Sequence, residues 1–298
     1  MSTPRDHHFI PVFYLKRWTG ADGKLFVYSR PYKNKIFVKP VVPRGAGFQR
    51  DLYSFPDCPP EVAQFLESVF LQRTDNLASL ALIKLISGSQ GQWTPELRSA
   101  WSRFTINFLI RHPHPFAEIK AVAHDGWLRP DGVTQREYEK FRQPADPETF
   151  EEWVLQQGNN LSDRIRIRLI QSTLDNELVG ARFNAMLWNV LDLSNASFRL
   201  LTSDWPLYKK IIGERMLFAL PISPTSLFTA ATHSDIFNKL RKTGPDELVR
   251  QINTSVVSRA RLYVYGSDRT QERFIENRMS SAMEMPPFFP TLAKTHGN

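Results

Sequence analysis

Between His7 and Trp18 the chain packs two adjacent imidazoles, a proline stop at Pro11 and the aromatics Phe9, Phe13, Tyr14 and Trp18 into twelve residues. No other stretch limits the fold and the chemistry so closely. In an extended strand neighbouring side chains face opposite ways, so His7 and His8 cannot share one pocket unless the backbone turns between them. One of the two is therefore the candidate for chemistry, because a neutral imidazole can act as acid, base or metal ligand near neutral pH. The competing reading has the buried member satisfying a backbone carbonyl at a strand start while the other is solvated.

The rest of the chain reads as a large α+β unit. Lys24–Tyr28 and Lys35–Lys39 are β-rich runs separated by Pro31 and Asn34, and they predict a hairpin or small sheet. After Pro59-Pro60 the apolar positions Val62, Phe65, Leu66, Val69 and Phe70 recur with helical period until Gly88. Thr94-Pro95 predicts a capped helix start, with Leu97, Trp101, Phe104 and Phe108 as its buried stripe. His112-Pro113-His114-Pro115 breaks that helix. Short helices are expected at 134–142 and 147–156, and a long helix, or two joined near Gly180, from Asn160 to Leu191. Beyond it Phe198–Leu201, Met216–Leu220 and Ser226–Ala230 read as strands, and a helix over Pro245–Ala260 leads into a strand over Arg261–Tyr265. The expected architecture is one domain over 1–298, strand-rich at 1–58, helical at 59–192 and mixed at 193–298. A small mixed or antiparallel sheet draws strands from both chain ends, with a large helical insertion between them.

At 298 residues and 42% hydrophobic the chain is globular, and no apolar run approaches the roughly 18 to 20 residues of a bilayer span. Pro4, Arg5, Asp6, His7 and His8 occupy the place of a signal-peptide apolar core. A single cysteine, Cys58, allows no internal disulfide and fits a reducing cytoplasm. The net charge of +8 is uneven: residues 1–60 hold ten Lys and Arg against four Asp, residues 116–160 five basic against nine acidic side chains. Such asymmetry can mark nucleic acid or another acidic partner, though lysines on solvated faces also serve solubility.

The opening run resembles the signature of a bacterial family catalogued as domain of unknown function 4238, whose members begin with His-His, then Pro, then an aromatic-Leu pair and a closing Phe or Trp. Gly23–Tyr28, Asp51-Leu52-Tyr53-Ser54, Glu67, Arg111, Ser203-Asp204-Trp205-Pro206, Leu220–Pro224 and Asn253 before Arg261–Tyr265 are similar to its later landmarks, in order. The resemblance implies a family and no reaction.

The residues themselves suggest several constellations. Asn107 and Arg111 stand i, i+4, which brings an amide beside a guanidinium whose planar fork suits a carboxylate or phosphate. Equally, Arg111 would pair with an internal acid such as Glu67 or Asp204. Asp204, just past an apolar strand, is the first choice for a catalytic acid or base, or else a turn former with Ser203 ahead of Pro206. No Gly-x-Ser-x-Gly elbow surrounds Ser203, so a triad of Ser203, His8 and Asp204 is not supported. No His-x-x-x-His, Cys-x-x-Cys, Gly-x-Gly-x-x-Gly or Walker spacing occurs, so no metal or nucleotide cofactor is assigned. Arg164 and Arg168 would form a basic rim if helical.

The expectation is a cytoplasmic hydrolase of an anionic substrate such as nucleic acid or a nucleotide, in phage defence or a toxin system. His7, His8, Asp204 and Arg111 are its catalytic candidates, and Asn107, Ser203 and Asn253 its substrate-binding ones. The alternative is a non-catalytic binding or interaction protein whose polar motif residues are structural.

Overall fold

The structure is a computed structural model describing residues 5–32, 35–54, 71–88, 93–125, 135, 138–139, 142–156, 170 and 173–280. It is α+β. The chain opens with β1 (Asp6–His8) and a single helical turn, α1 (Val12–Leu15), then forms β2 (Leu25–Tyr32), β3 (Lys35–Val41) and β4 (Phe48–Arg50). Helices α2 (Gln72–Ile86), α3 (Pro95–Asn107), α4 (Pro113–Asp125), α5 (Phe150–Gln156) and α6 (Glu177–Asn184) follow. The last third holds β5 (Leu187–Asp192), β6 (Thr202–Ser203), β7 (Tyr208–Ile212), β8 (Arg215–Ser223) and β9 (Ser226–Ala231). It ends with α7 (Ser234–Lys242), α8 (Pro245–Arg259), β10 (Tyr263–Gly266) and α9 (Glu272–Glu276).

All strand pairs are antiparallel. One four-stranded sheet, ordered β3-β2-β10-β6, joins the two ends of the chain, with Val264 opposite Tyr28 on one side and Ser203 on the other. This meets the expectation of strands drawn from both ends. The expectation that the strands meet in one sheet fails: β5-β9-β8-β7 form a second four-stranded sheet, and β1 pairs separately with β4. β1 and β4 are held together past their ends, where the Ile10 N–H donates to the Gly47 carbonyl at 3.0 Å. Gly47 has φ +65°, and a Cβ there would stand 2.8 Å from the Ile10 Cβ, so only glycine fits this approach.

At the centre of the second sheet β8 and β9 send alternate side chains into cores on its two faces. Phe218, Leu220, Phe228 and Ala230 turn toward the main core, which holds Tyr14, Trp18, Trp101, Phe104 and Phe108. Ala219 and Leu227 turn the other way, against Leu248, Val249, Ile252 and Val256 of α8. Further along, Val257 and Ala260 pack on Tyr28, Leu201 and Val264 beside the first sheet. Helix α8 thus serves two packing surfaces in succession, which requires apolar residues on more than one stripe.

Local signals explain the elements that were predicted. Thr94 caps α3, its hydroxyl accepting the Leu97 N–H at 3.2 Å, with Pro95 at the first helical position. Pro245, Asp246 and Glu247 open α8 in the same spirit, a proline and two acids placed against the positive helix end. The β2–β3 pair and the β8–β9 hairpin fall where the β-rich runs were read.

Three assignments are corrected. The helix expected to run to Leu191 stops at Asn184, and Leu187–Asp192 is strand β5; Gly180 lies inside α6 rather than at a joint. Asn176 starts α6 by accepting the Val179 N–H at 3.0 Å, a capping signal within the apolar pattern. Phe198–Leu201 is not a strand; Asn253 and Gln271 bond its backbone instead. The strand expected from Arg261 begins at Tyr263, because the preceding N–H groups bond a side chain. The helix expected to break at His112-Pro113 already ends at Asn107, and Pro113 begins the next, α4. The expected helix over 59–70, including Glu67, the Arg164 and Arg168 pair, and Cys58 lie outside the described residues. Among the described residues no helix is long and apolar enough to cross a membrane.

Candidate functional site

β1 sends His7 inward and leaves His8 nearer the surface, as strand alternation requires. His7 is fully buried, and its Nδ1 accepts the Tyr53 backbone N–H at 2.9 Å while the two rings stack at 5.7 Å. That bond leaves the proton of neutral His7 on Nε2. Through Nδ1 the buried histidine serves a backbone amide. His8 does the reverse, its Nε2–H donating to the Arg44 carbonyl at 3.2 Å. Burial pushes the His8 pKa below its usual value, outweighing that carbonyl contact.

Arg111 lies between α3 and α4 and is 2% exposed. Its fork meets Asp75 of α2 in two bonds, Nη1 to Oδ1 at 2.6 Å and Nη2 to Oδ2 at 3.0 Å. Nη2 also donates to the His8 carbonyl at 2.9 Å, and the Arg111 carbonyl accepts the Tyr53 hydroxyl at 2.9 Å. The guanidinium therefore ties the amino-terminal strand to two helices. Of the acids proposed for it, Asp204 is not its partner among the described ion pairs. Asp75, one helical turn into α2, had no signal in the sequence beyond its charge.

Asp204 is 1% exposed and bound by backbone. Oδ1 accepts the Arg261 N–H at 3.0 Å, and Oδ2 accepts those of Leu262 at 2.5 Å and Tyr263 at 3.3 Å. The carboxylate thus gathers three successive amides where α8 turns into β10, and the Asp204 N–H returns a bond to the Tyr263 carbonyl at 3.0 Å. His112 adds a fourth contact, its Nε2 standing 3.4 Å from Asp204 Oδ2, while its Nδ1 accepts the His114 N–H at 3.3 Å. The imidazole sits edge-on between Phe9 and Trp205. Sequence reasoning took His112 as part of a helix stop and missed it. Ser203 turns its hydroxyl onto the Trp205 N–H at 3.1 Å, a local turn bond.

The other candidates lie apart from this junction or take no part in its bonds. Asn253 of α8 accepts the Leu201 N–H and donates to the Arg199 carbonyl and to Gln271, each at 2.9 Å, so its amide is filled. Asn107 is fully buried, and among the described residues neither its amide nitrogen nor its oxygen has a hydrogen-bond partner. The predicted pairing of the Asn107 amide with the Arg111 guanidinium is absent; the two are joined by backbone, Arg111 N–H to the Asn107 carbonyl at 2.7 Å. The Tyr265 hydroxyl is likewise buried without a partner among the described residues, and burial, reinforced by Asp204, drives its pKa well above the usual value.

The aromatic ladder completes the picture. The Tyr14 hydroxyl donates to the Pro221 carbonyl at 2.6 Å and lies 2.8 Å from the Thr202 hydroxyl, and the Trp18 indole N–H donates to the Leu200 carbonyl at 3.0 Å. Tyr14 and Trp18 therefore lock the start of the described chain onto segments about two hundred residues away. Chemically, a histidine held by a carboxylate could relay a proton, but His112 and Asp204 are 4% and 1% exposed. Among the described residues no group of three or more His, Cys, Asp or Glu side chains could hold a metal ion.

No curated protein and no solved structure matches the chain. A family model does, and it spans the whole region from His7 to the end of β10. Described as Protein of unknown function (DUF4238), it matches residues 6–270, and the chain belongs to that family.

Proposed function

We propose that this is a non-catalytic binding protein in which the signature residues pin distant segments together. The observation that carries the reading is that His7, Asn107, Arg111, Ser203, Asp204 and Asn253 are each at most 2% exposed. All but Asn107 use their side chains on backbone groups or on a neighbouring side chain. A catalytic group needs an approach for substrate, and its geometry is commonly bought at some cost in stability, so its replacement leaves stability unchanged or raised. A pin behaves oppositely. Urea unfolding of His7→Phe, Asp204→Asn and Asn253→Ala is expected to show lowered midpoints for all three. Parent-like or higher midpoints for His7→Phe and Asp204→Asn would overturn the reading.

A second reading, hydrolysis of an anionic substrate such as nucleic acid or a nucleotide, is favoured by one feature, the His112–Asp204 contact. On that reading His112 carries the proton and the basic first sixty residues hold the polyanion, with affinity falling about one log unit per log unit of salt for each phosphate contact. Release of acid-soluble nucleotides from labelled RNA or single-stranded DNA, abolished in His112→Gln, would establish it. A cytoplasmic location accords with the single cysteine.

A further inference from the structure

Away from the junction, a groove of about 350 Å³ lies between one face of the second sheet and helices α7 and α8. The register sets Tyr208 opposite Ala219, Lys210 opposite Leu217 and Ile212 opposite Arg215, so six side chains of β7 and β8 share that face. The groove is graded along its length. Its inner end is apolar, with Ala219, Leu227, Leu248 and Ile252 all buried. Thr229, also at that end, directs its hydroxyl away to the Asn189 carbonyl at 3.1 Å. The outer end, toward the β7–β8 turn, carries the exposed cations Lys210, Arg215 and Lys239. Asp235 is the carboxylate among them, 2.6 Å from Arg215 and 4.0 Å from Lys239. Arg215 and Lys239 share that one carboxylate and Lys210 makes no ion pair among the described residues, so positive charge is in excess at the mouth.

We propose that this groove binds a single-chain amphiphile with one carboxylate head and an unbranched apolar tail. The head sits among Lys210, Arg215 and Lys239, and the tail runs over Leu217 toward Ala219 and Leu227. Size follows from volume: at roughly 30 Å³ per water-sized group, the space holds about a dozen non-hydrogen atoms, the size of a ten-carbon acid. The inference gives the binding reading its ligand class and rests on that reading. The two can fail separately, because the pins are tested by unfolding and the groove by titration.

The test is calorimetric titration of the full chain with sodium decanoate, 1-decanol and decyltrimethylammonium bromide at neutral pH. Decanoate is expected to bind, with the alcohol about tenfold weaker and the cation showing no heat, since tenfold corresponds to a single charge-assisted contact. Lys210→Glu with Lys239→Glu, both at exposed positions, should weaken decanoate by about tenfold or more. Leu217→Trp, at a half-buried position lining the groove, should do the same by filling it. No decanoate binding at about 1 mM, equal affinity for the alcohol, or undiminished binding in Leu217→Trp would each overturn the proposal.

Discussion

The buried junction at Asp204 and the groove at Lys210 both concentrate charge, and they handle it in opposite ways. At the junction each charge meets fixed partners: Arg111 is matched to Asp75 and the His8 carbonyl, and Asp204 to three backbone amides. Such groups are costly to bury unless bonded, so the partners must be present in every folded molecule. In the groove the cations stay in water and exceed the acid beside them, while half-buried Leu217 and Leu240 line the apolar space behind them. Fixed pairing makes a framework; surplus charge beside accessible apolar surface makes a place for a ligand. The residues that draw the eye in the sequence belong to the first kind, and the groove is built from side chains that no motif marks.

The sharpest way to break this contrast is Arg111→Gln. It leaves Asp75 without its fork and removes the bond to the His8 carbonyl, for an expected loss of about 3 kcal/mol in urea unfolding. In a double-mutant cycle Arg111→Gln should couple more strongly to Asp75→Asn than to Asp204→Asn. Stronger coupling to Asp204 would mean that the junction is wired differently. Asp204→Asn comes next, at about 2 kcal/mol, because an amide has one oxygen for three N–H groups and turns a donor toward one of them. An unchanged midpoint would remove Asp204 from the framework.

A smaller effect follows from His8. Its folded-state pKa lies below the unfolded value of about 6.5, so between those two values the unfolded chain binds more protons. The His8 contribution is therefore fully present above about pH 6.5 and is lost as pH falls through the folded value. The midpoint should drop on acidification, with a slope below the one-proton limit of about 1.4 kcal/mol per pH unit, and His8→Gln should flatten that part of the profile. A profile unchanged by the substitution would place the titration elsewhere. Smallest of all, Lys210→Glu should shift stability by no more than about 0.5 kcal/mol, as for an exposed charge without a fixed partner. A loss comparable to that of Asp204→Asn would erase the distinction between framework and groove.

What the sequence by itself determined were the elements with strong local signals and the family. Thr94-Pro95 and Pro245 mark where α3 and α8 begin, and the β-rich runs mark the β2–β3 pair, because caps, proline and periodicity act within a few residues. The family expected from the resemblance is likewise the one whose model matches residues 6–270. Tertiary structure alone decided what the polar residues of those motifs do. It assigned Asp75 to Arg111 across 36 positions, Tyr53 to His7 across 46 and the amides after α8 to Asp204 across nearly 60, and it divided the strands between two sheets. A buried charge or imidazole announces only that it needs partners. Which groups supply them depends on how distant segments pack, and neither periodicity nor spacing carries that information.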